Sequence, residues 1–121
     1  MSGSAYLSWV IEQTPTRWWH DSAESAELDL ALARGAIGVS TNPVLASAAL
    51  QKHRGLWREA IDRALAQHLS PERKAEELMR IVVTHAAEKL LPRFGESNGQ
   101  AGFVCAQVNP MRAGDRAAMY P

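Results

Sequence analysis

Three short apolar stretches each run into a cluster of small polar residues, and helix-patterned segments lie between them. The stretches are "TRWWH" before Asp21-Ser22, "AIGVS" before Thr41-Asn42-Pro43, and "GFVCAQV" before Asn109-Pro110. Strands joined through a helix return to the sheet in the same direction and pair in parallel. This constrains the chain to an α/β fold of parallel β/α units, with strands near residues 16–20, 37–41 and 102–108. In such folds, function collects at the carboxyl ends of the strands. Those ends are His20-Asp21-Ser22, Ser40-Thr41-Asn42-Pro43 and Gln107-Val108-Asn109-Pro110.

The helices follow from period and punctuation. Leu7, Val10 and Ile11 form one stripe that Thr14-Pro15 ends. Ser25 is the expected cap of the next helix. Glu27 and Asp29 sit in its first turn, Leu28, Ala31 and Leu32 form its apolar face, and Arg34-Gly35 forms its end. Pro43 to Leu50 reads as a helix with proline pre-set in the first turn. From Leu56 to His68, Trp57, Ala60, Ile61, Ala64 and Leu65 recur at helical spacing. Ser70-Pro71-Glu72 starts a long helix whose stripe is Ala75, Leu78, Met79, Val82, Ala86 and Leu90, and Pro92 is its expected stop. "RFGESNGQA" then reads as a polar loop. The nearly unbroken apolar run of "GFVCAQV" predicts a strand buried on both faces. A last helix begins near Gly114.

Composition excludes several classes. Thirteen basic and thirteen acidic side chains cancel, so no electrostatic footprint for nucleic acid or an anionic membrane is present. No apolar run approaches the ~20 residues that span a bilayer. No signal peptide is read in "MSGSAYLSWVIEQTP", and the expectation is a cytoplasmic protein. The single cysteine, Cys105, rules out an internal disulfide framework and is expected to be a small buried apolar residue. His20, His53, His68 and His85 lack metal-ligand spacing, so no metal is expected.

The strand-end residues each have a plain reading beside a functional one. Asp21 can serve proton transfer or simply start a loop. Asn42-Pro43 is a common turn dipeptide. Ser40 and Thr41 can cap the Pro43 helix or contact substrate. Gln107 can orient water or be a satisfied buried amide. Trp18 and Trp19 alternate, so one faces the helices and the other the opposite side of the sheet. Trp57 belongs to a helix stripe and is core.

The ordered combination "WWHDSA…ELDLALARGAIGVSTNPVL…GFVCAQVNP…AGD" resembles the transaldolase family of class I aldolases, from about Thr16 to Asp115. "GVSTNPVL" carries most of the resemblance, supported by the Asp21 that closes the first strand. The resemblance implies a (β/α)8 TIM barrel that moves a dihydroxyacetone unit between sugar phosphates through a Schiff base, without a metal or organic cofactor. It also implies carbohydrate metabolism in the pentose phosphate pathway. On that basis Asp21 is the proton-transfer group and Asn42 holds the substrate-derived intermediate, with the Ser40 and Thr41 hydroxyls beside it. Gln107 stands where most transaldolases carry a glutamate. A carboxylate can accept a proton, whereas an amide can only orient water, so Gln107 is also similar to the fructose-6-phosphate aldolases.

The same resemblance requires an amine nucleophile with a lowered pKa. The chain has three lysines, Lys52, Lys74 and Lys89, each in or beside a helical segment. None is at a strand end, so the Schiff-base lysine is expected to be none of them. The expectation is the first three strands of an incomplete barrel, a truncated chain inactive alone, because about eight strands are needed for closure. A three-stranded sheet leaves two free edges, which are templates for self-association. The rival reading is a non-catalytic α/β module that binds a partner through an edge or through its long helix.

Overall fold

Residues 3–119 are described by a computed structural model. In chain order the elements are α1 (Gly3–Gln13), β1 (Trp19–Asp21), α2 (Ser25–Ala33), β2 (Gly38–Ser40), α3 (Pro43–Lys52), α4 (Arg54–Ala66) and α5 (Pro71–Glu96). β3 (Phe103–Cys105), a 3-10 turn (Pro110–Arg112) and α6 (Arg116–Met119) follow. Residues 1, 2, 120 and 121 of the expected single domain lie outside the described residues.

The strands form one parallel sheet in the order β1-β2-β3. Trp19 pairs with Gly38 and Gly38 with Phe103; Asp21 pairs with Ser40 and Ser40 with Cys105. The hydrogen-bonded strands are shorter than the apolar stretches, but flanking bonds lengthen the ladder. Ile37 N–H donates to Trp18 C=O, Gly102 N–H to Ile37 C=O and Thr41 N–H to Cys105 C=O. β1 and β3 each pair on one side, so among the described residues both outer edges are open.

The helices cover one face. Side chains alternate across a strand, and Val39, in the middle of β2, is completely buried with Leu28, Ala86 and Leu90, with Val104 packed beside it. A second cluster joins Ala46, Ala49, Leu50, Trp57 and Val82. The α5 stripe enters both clusters, through Val82 in one and through Ala86 and Leu90 in the other.

Three expectations are corrected. Glu24, not Ser25, caps α2, its carboxylate accepting from the N–H groups of Ala26 and Glu27. Pro92 does not stop α5, which runs on to Glu96. Proline removes one backbone donor from the helix ladder, but Leu91 and Pro92 are exposed, and the next turn is held by tertiary contact. Phe94 meets Phe103 edge-on, ring centres 5.6 Å apart. The third correction concerns "GFVCAQV", which is not buried on both faces. Phe103 and Cys105 are exposed because, among the described residues, no helix covers their side of the sheet.

Gly102 allows α5 to approach β3. It has φ +90°, and a Cβ there would lie 2.5 Å from Phe94 N and 2.8 Å from the Leu90 carbonyl oxygen. Gly102→Ala should therefore destabilise the fold by about 1–3 kcal/mol or more. Gly55→Ala, where a Cβ would meet nothing within 4 Å, should be neutral or stabilising by up to about 1 kcal/mol. Urea unfolding midpoints compare the two, and an unchanged midpoint for Gly102→Ala would contradict this packing.

Candidate active site

The register aligns the strand tips, and alternation decides what they present. Trp19 and Asp21, Gly38 and Ser40, and Phe103 and Cys105 share the uncovered face. His20, Val39 and Val104 share the covered one. The uncovered face is thus a polar row, Asp21-Ser40-Cys105, at the carboxyl end, with Trp19-Gly38-Phe103 one row below.

The lower row closes over its central glycine. The Trp19 and Phe103 rings stack with centres 6.5 Å apart and planes 14° from parallel. A Cβ on Gly38 would lie 2.7 Å from the Trp19 ring. Only glycine lets the two rings close over the middle strand. Both rings remain about two-fifths exposed, 40% for Trp19 and 41% for Phe103.

In the upper row, Ser40 Oγ donates to Asp21 Oδ1 at 2.9 Å. This orients the carboxylate and leaves its second oxygen facing solvent. Thr41 is buried; its N–H and its hydroxyl both donate to Cys105 C=O, at 2.9 Å and 3.1 Å. It ties the end of β2 to the end of β3 and fixes where the next residue sits. That residue, Asn42, is the N-cap of α3, its Oδ1 accepting from Leu45 N–H at 2.9 Å. With Oδ1 so engaged, the Nδ2 donors are what Asn42 can offer a ligand.

Gln107 lies two residues beyond β3, exposed, and makes no hydrogen bond to Asp21, Ser40 or Asn42. The structure therefore joins Asp21 directly to Ser40, sets Asn42 beside them through Thr41, and leaves Gln107 free at the tip of the third strand. Cys105 was expected to be buried. It is exposed, because its parity puts it on the face that no helix covers. Among the described residues no three His, Cys, Asp or Glu side chains are grouped to hold a metal ion.

The lysines lie elsewhere. Lys52 Nζ is 3.7 Å from Glu24 Oε2 and 3.7 Å from Glu27 Oε1. Lys74 Nζ donates to Leu65 C=O at 3.1 Å, and Lys89 pairs with Asp29 at 2.5 Å. All three belong to α3 and α5, in the helix layer.

Sequence reasoning missed Glu24, which follows the β1 tip by three residues. It is 5% exposed and is held by two backbone N–H groups, by Lys52, and by His53 Nε2 at 2.8 Å. Its signal was present as an acid just before the α2 stripe, but Ser25 beside it is the stronger cap type. Burial works against the Glu24 charge. The Glu27 and Ala26 N–H groups and the nearby Lys52 and His53 outweigh it, holding the carboxyl below its ordinary value.

Residues 18–121 match the family model described as Transaldolase/Fructose-6-phosphate aldolase. No curated protein is significantly similar to the chain. Among the described residues no helix is long and apolar enough to cross a membrane.

A carboxyl with a depressed folded-state pKa contributes stability above its unfolded value, and loses it as pH falls through the folded value. Glu24 should therefore weaken the fold at acid pH. Glu24→Gln should cost about 1 kcal/mol at pH 7 and flatten the acid limb of the stability curve. Chemical denaturation at stepped pH checks both, and a variant with the parent's acid dependence would remove Glu24 as its source.

Proposed function

The chain belongs to the transaldolase/fructose-6-phosphate aldolase family, and from that premise we propose that its uncovered sheet face is part of an aldol site acting on sugar phosphates. The observation that carries this reading is the Ser40–Asp21 hydrogen bond at two adjacent strand tips, beside the Asn42 cap. In this reading Asp21 moves the proton. When an amine adds to the ketone carbonyl, the Asp21 carboxylate takes the proton that the nitrogen loses and returns it to the departing hydroxyl as water leaves and the imine forms. Ser40 keeps the Asp21 carboxylate oriented. Asn42 donates from Nδ2 to a substrate oxygen, Thr41 holds Asn42 in place, and Gln107 positions water by hydrogen bonding.

The imine-forming amine comes from outside this chain. Lys52 and Lys89 are paired with carboxylates in the helix layer, and Lys74 is bonded to a helix carbonyl. The chain alone accordingly gives no turnover, as three units of a (β/α)8 barrel would, and its open β1 and β3 edges invite self-association. The cellular setting of this reading is cytoplasmic sugar-phosphate interconversion in the pentose phosphate pathway. Gln107 in place of a carboxylate favours direct aldol cleavage, of the fructose-6-phosphate aldolase kind, over transfer. A non-catalytic partner-binding module is the second reading, supported by the exposed Trp19–Phe103 pair between two open edges.

Amide NMR of the chain titrated with fructose 6-phosphate tests the site. Shifts centred on Asp21, Ser40, Asn42 and Gln107 are expected; shifts confined to other elements would refute it. Borohydride reduction of the same mixture should leave Lys52, Lys74 and Lys89 unmodified by mass spectrometry, and a trapped adduct on any of them would overturn the external amine.

A further inference from the structure

On the helix layer, α3, α4 and α5 enclose a groove of about 490 Å³. This is within the range of clefts that take small molecules. Its apolar wall is built from Leu50 of α3, Ile61 and Leu65 of α4 and Leu78 of α5. Leu65 remains half exposed. Arg54 and Arg58, one helical turn apart on α4, stand at one end, and Asp62 stands one turn further along.

Among the described residues neither guanidinium has an ion-pair or hydrogen-bond partner. The described ion pairs engage Arg73, Arg80 and Arg112 with Glu72, Glu76 and Glu77, but none engages Arg54 or Arg58. The i,i+4 spacing between Arg58 and Asp62 would allow a pair, yet none forms within 4.0 Å. Two unpaired planar forks on the same helix face match an acidic oxygen cluster. Asp62 lies one turn past Arg58, between Ile61 and Leu65 in the helix, and repels an acidic group there, so the groove has a polarity: acidic head toward Arg54 and Arg58, apolar body against Leu50, Ile61 and Leu78.

We infer that this groove binds a small amphipathic anion, an acidic head group on a short apolar body, at a site separate from the strand-tip face. The groove volume and the two unpaired charges carry this, independently of any aldol chemistry. The small volume fits a single short chain rather than a membrane surface.

The test is isothermal titration of the chain with n-octyl phosphate below its micelle concentration, beside n-octyl glucoside as an uncharged probe with the same tail. One equivalent of the phosphate should bind, and the glucoside should not. Arg54→Gln and Arg58→Gln, both on exposed side chains, should each weaken binding roughly tenfold, as expected for losing a hydrogen bond to a charged group. Leu65→Asp should abolish it, with circular dichroism confirming that each variant is folded. Equal binding of both probes, or arginine variants indistinguishable from the parent, would overturn the inference. So would binding of anionic vesicles without binding of the free phosphate.

Discussion

One helix ridge holds the molecule together. Val82, Ala86 and Leu90 follow each other at four-residue intervals along α5, and all three are completely buried. Val82 meets the α3–α4 cluster around Trp57, while Ala86 and Leu90 meet Val39 and Leu28 beneath the sheet. Leu28, Leu90, Val39 and Val82 are the largest fully buried side chains. Without α5 the helix pair and the sheet would share little apolar surface. Small residues make the approach close: Ala86 on the ridge, Ala46 and Ala49 on α3, and Gly102 where the helix backbone comes against the chain entering β3.

That arrangement also decides what the strand tips present. α5 and α2 take the covered face of β2, so the opposite face is left to side chains whose environment is polar at the tips and aromatic below. The division follows from two-residue alternation and requires no special device. What is special is Gly38, whose missing Cβ lets Trp19 and Phe103 meet across the middle strand. The ring pair underlies the Asp21–Ser40 row, one pleat repeat of about 6–7 Å away. A slip of one residue in β2 would remove Ser40 from Asp21 and place Val39 under the rings.

Much of this was legible from the residues. The strand-helix alternation, the Ser70-Pro71 helix start, the proline-led α3 and the stripe of α5 all follow from period and punctuation. The alignment of the Asp21 and Ser40 strand ends was legible too, because each follows an apolar run that pairs in the sheet. What failed was burial. A continuous apolar run argues for two covered faces, but sequence cannot say whether helices exist to cover both. Phe103 and Cys105 are exposed for that reason. Pro92 misled in the same way, since its local preference yields to the Phe94–Phe103 contact and to the backbone fit at Gly102. Glu24 was hidden by a neighbour of better capping type.

The two sides of the β1 tip differ in their ionisable groups. Glu24, Lys52 and His53 gather behind the β1 tip in the helix layer, where each charge is answered by a hydrogen bond or an opposite charge. Such a set fixes the α3–α4 junction against the start of α2 and has no charge to spare for a substrate. Asp21 differs. Its hydrogen bond comes from a neutral hydroxyl, no cation among the described residues pairs with it, and its face is open. The three lysines are held in the helix layer, Lys52 and Lys89 by carboxylates and Lys74 by the Leu65 carbonyl. The strand tips thus present the Asp21–Ser40 pair, with the Asn42 cap next in the chain, to the open side of the sheet.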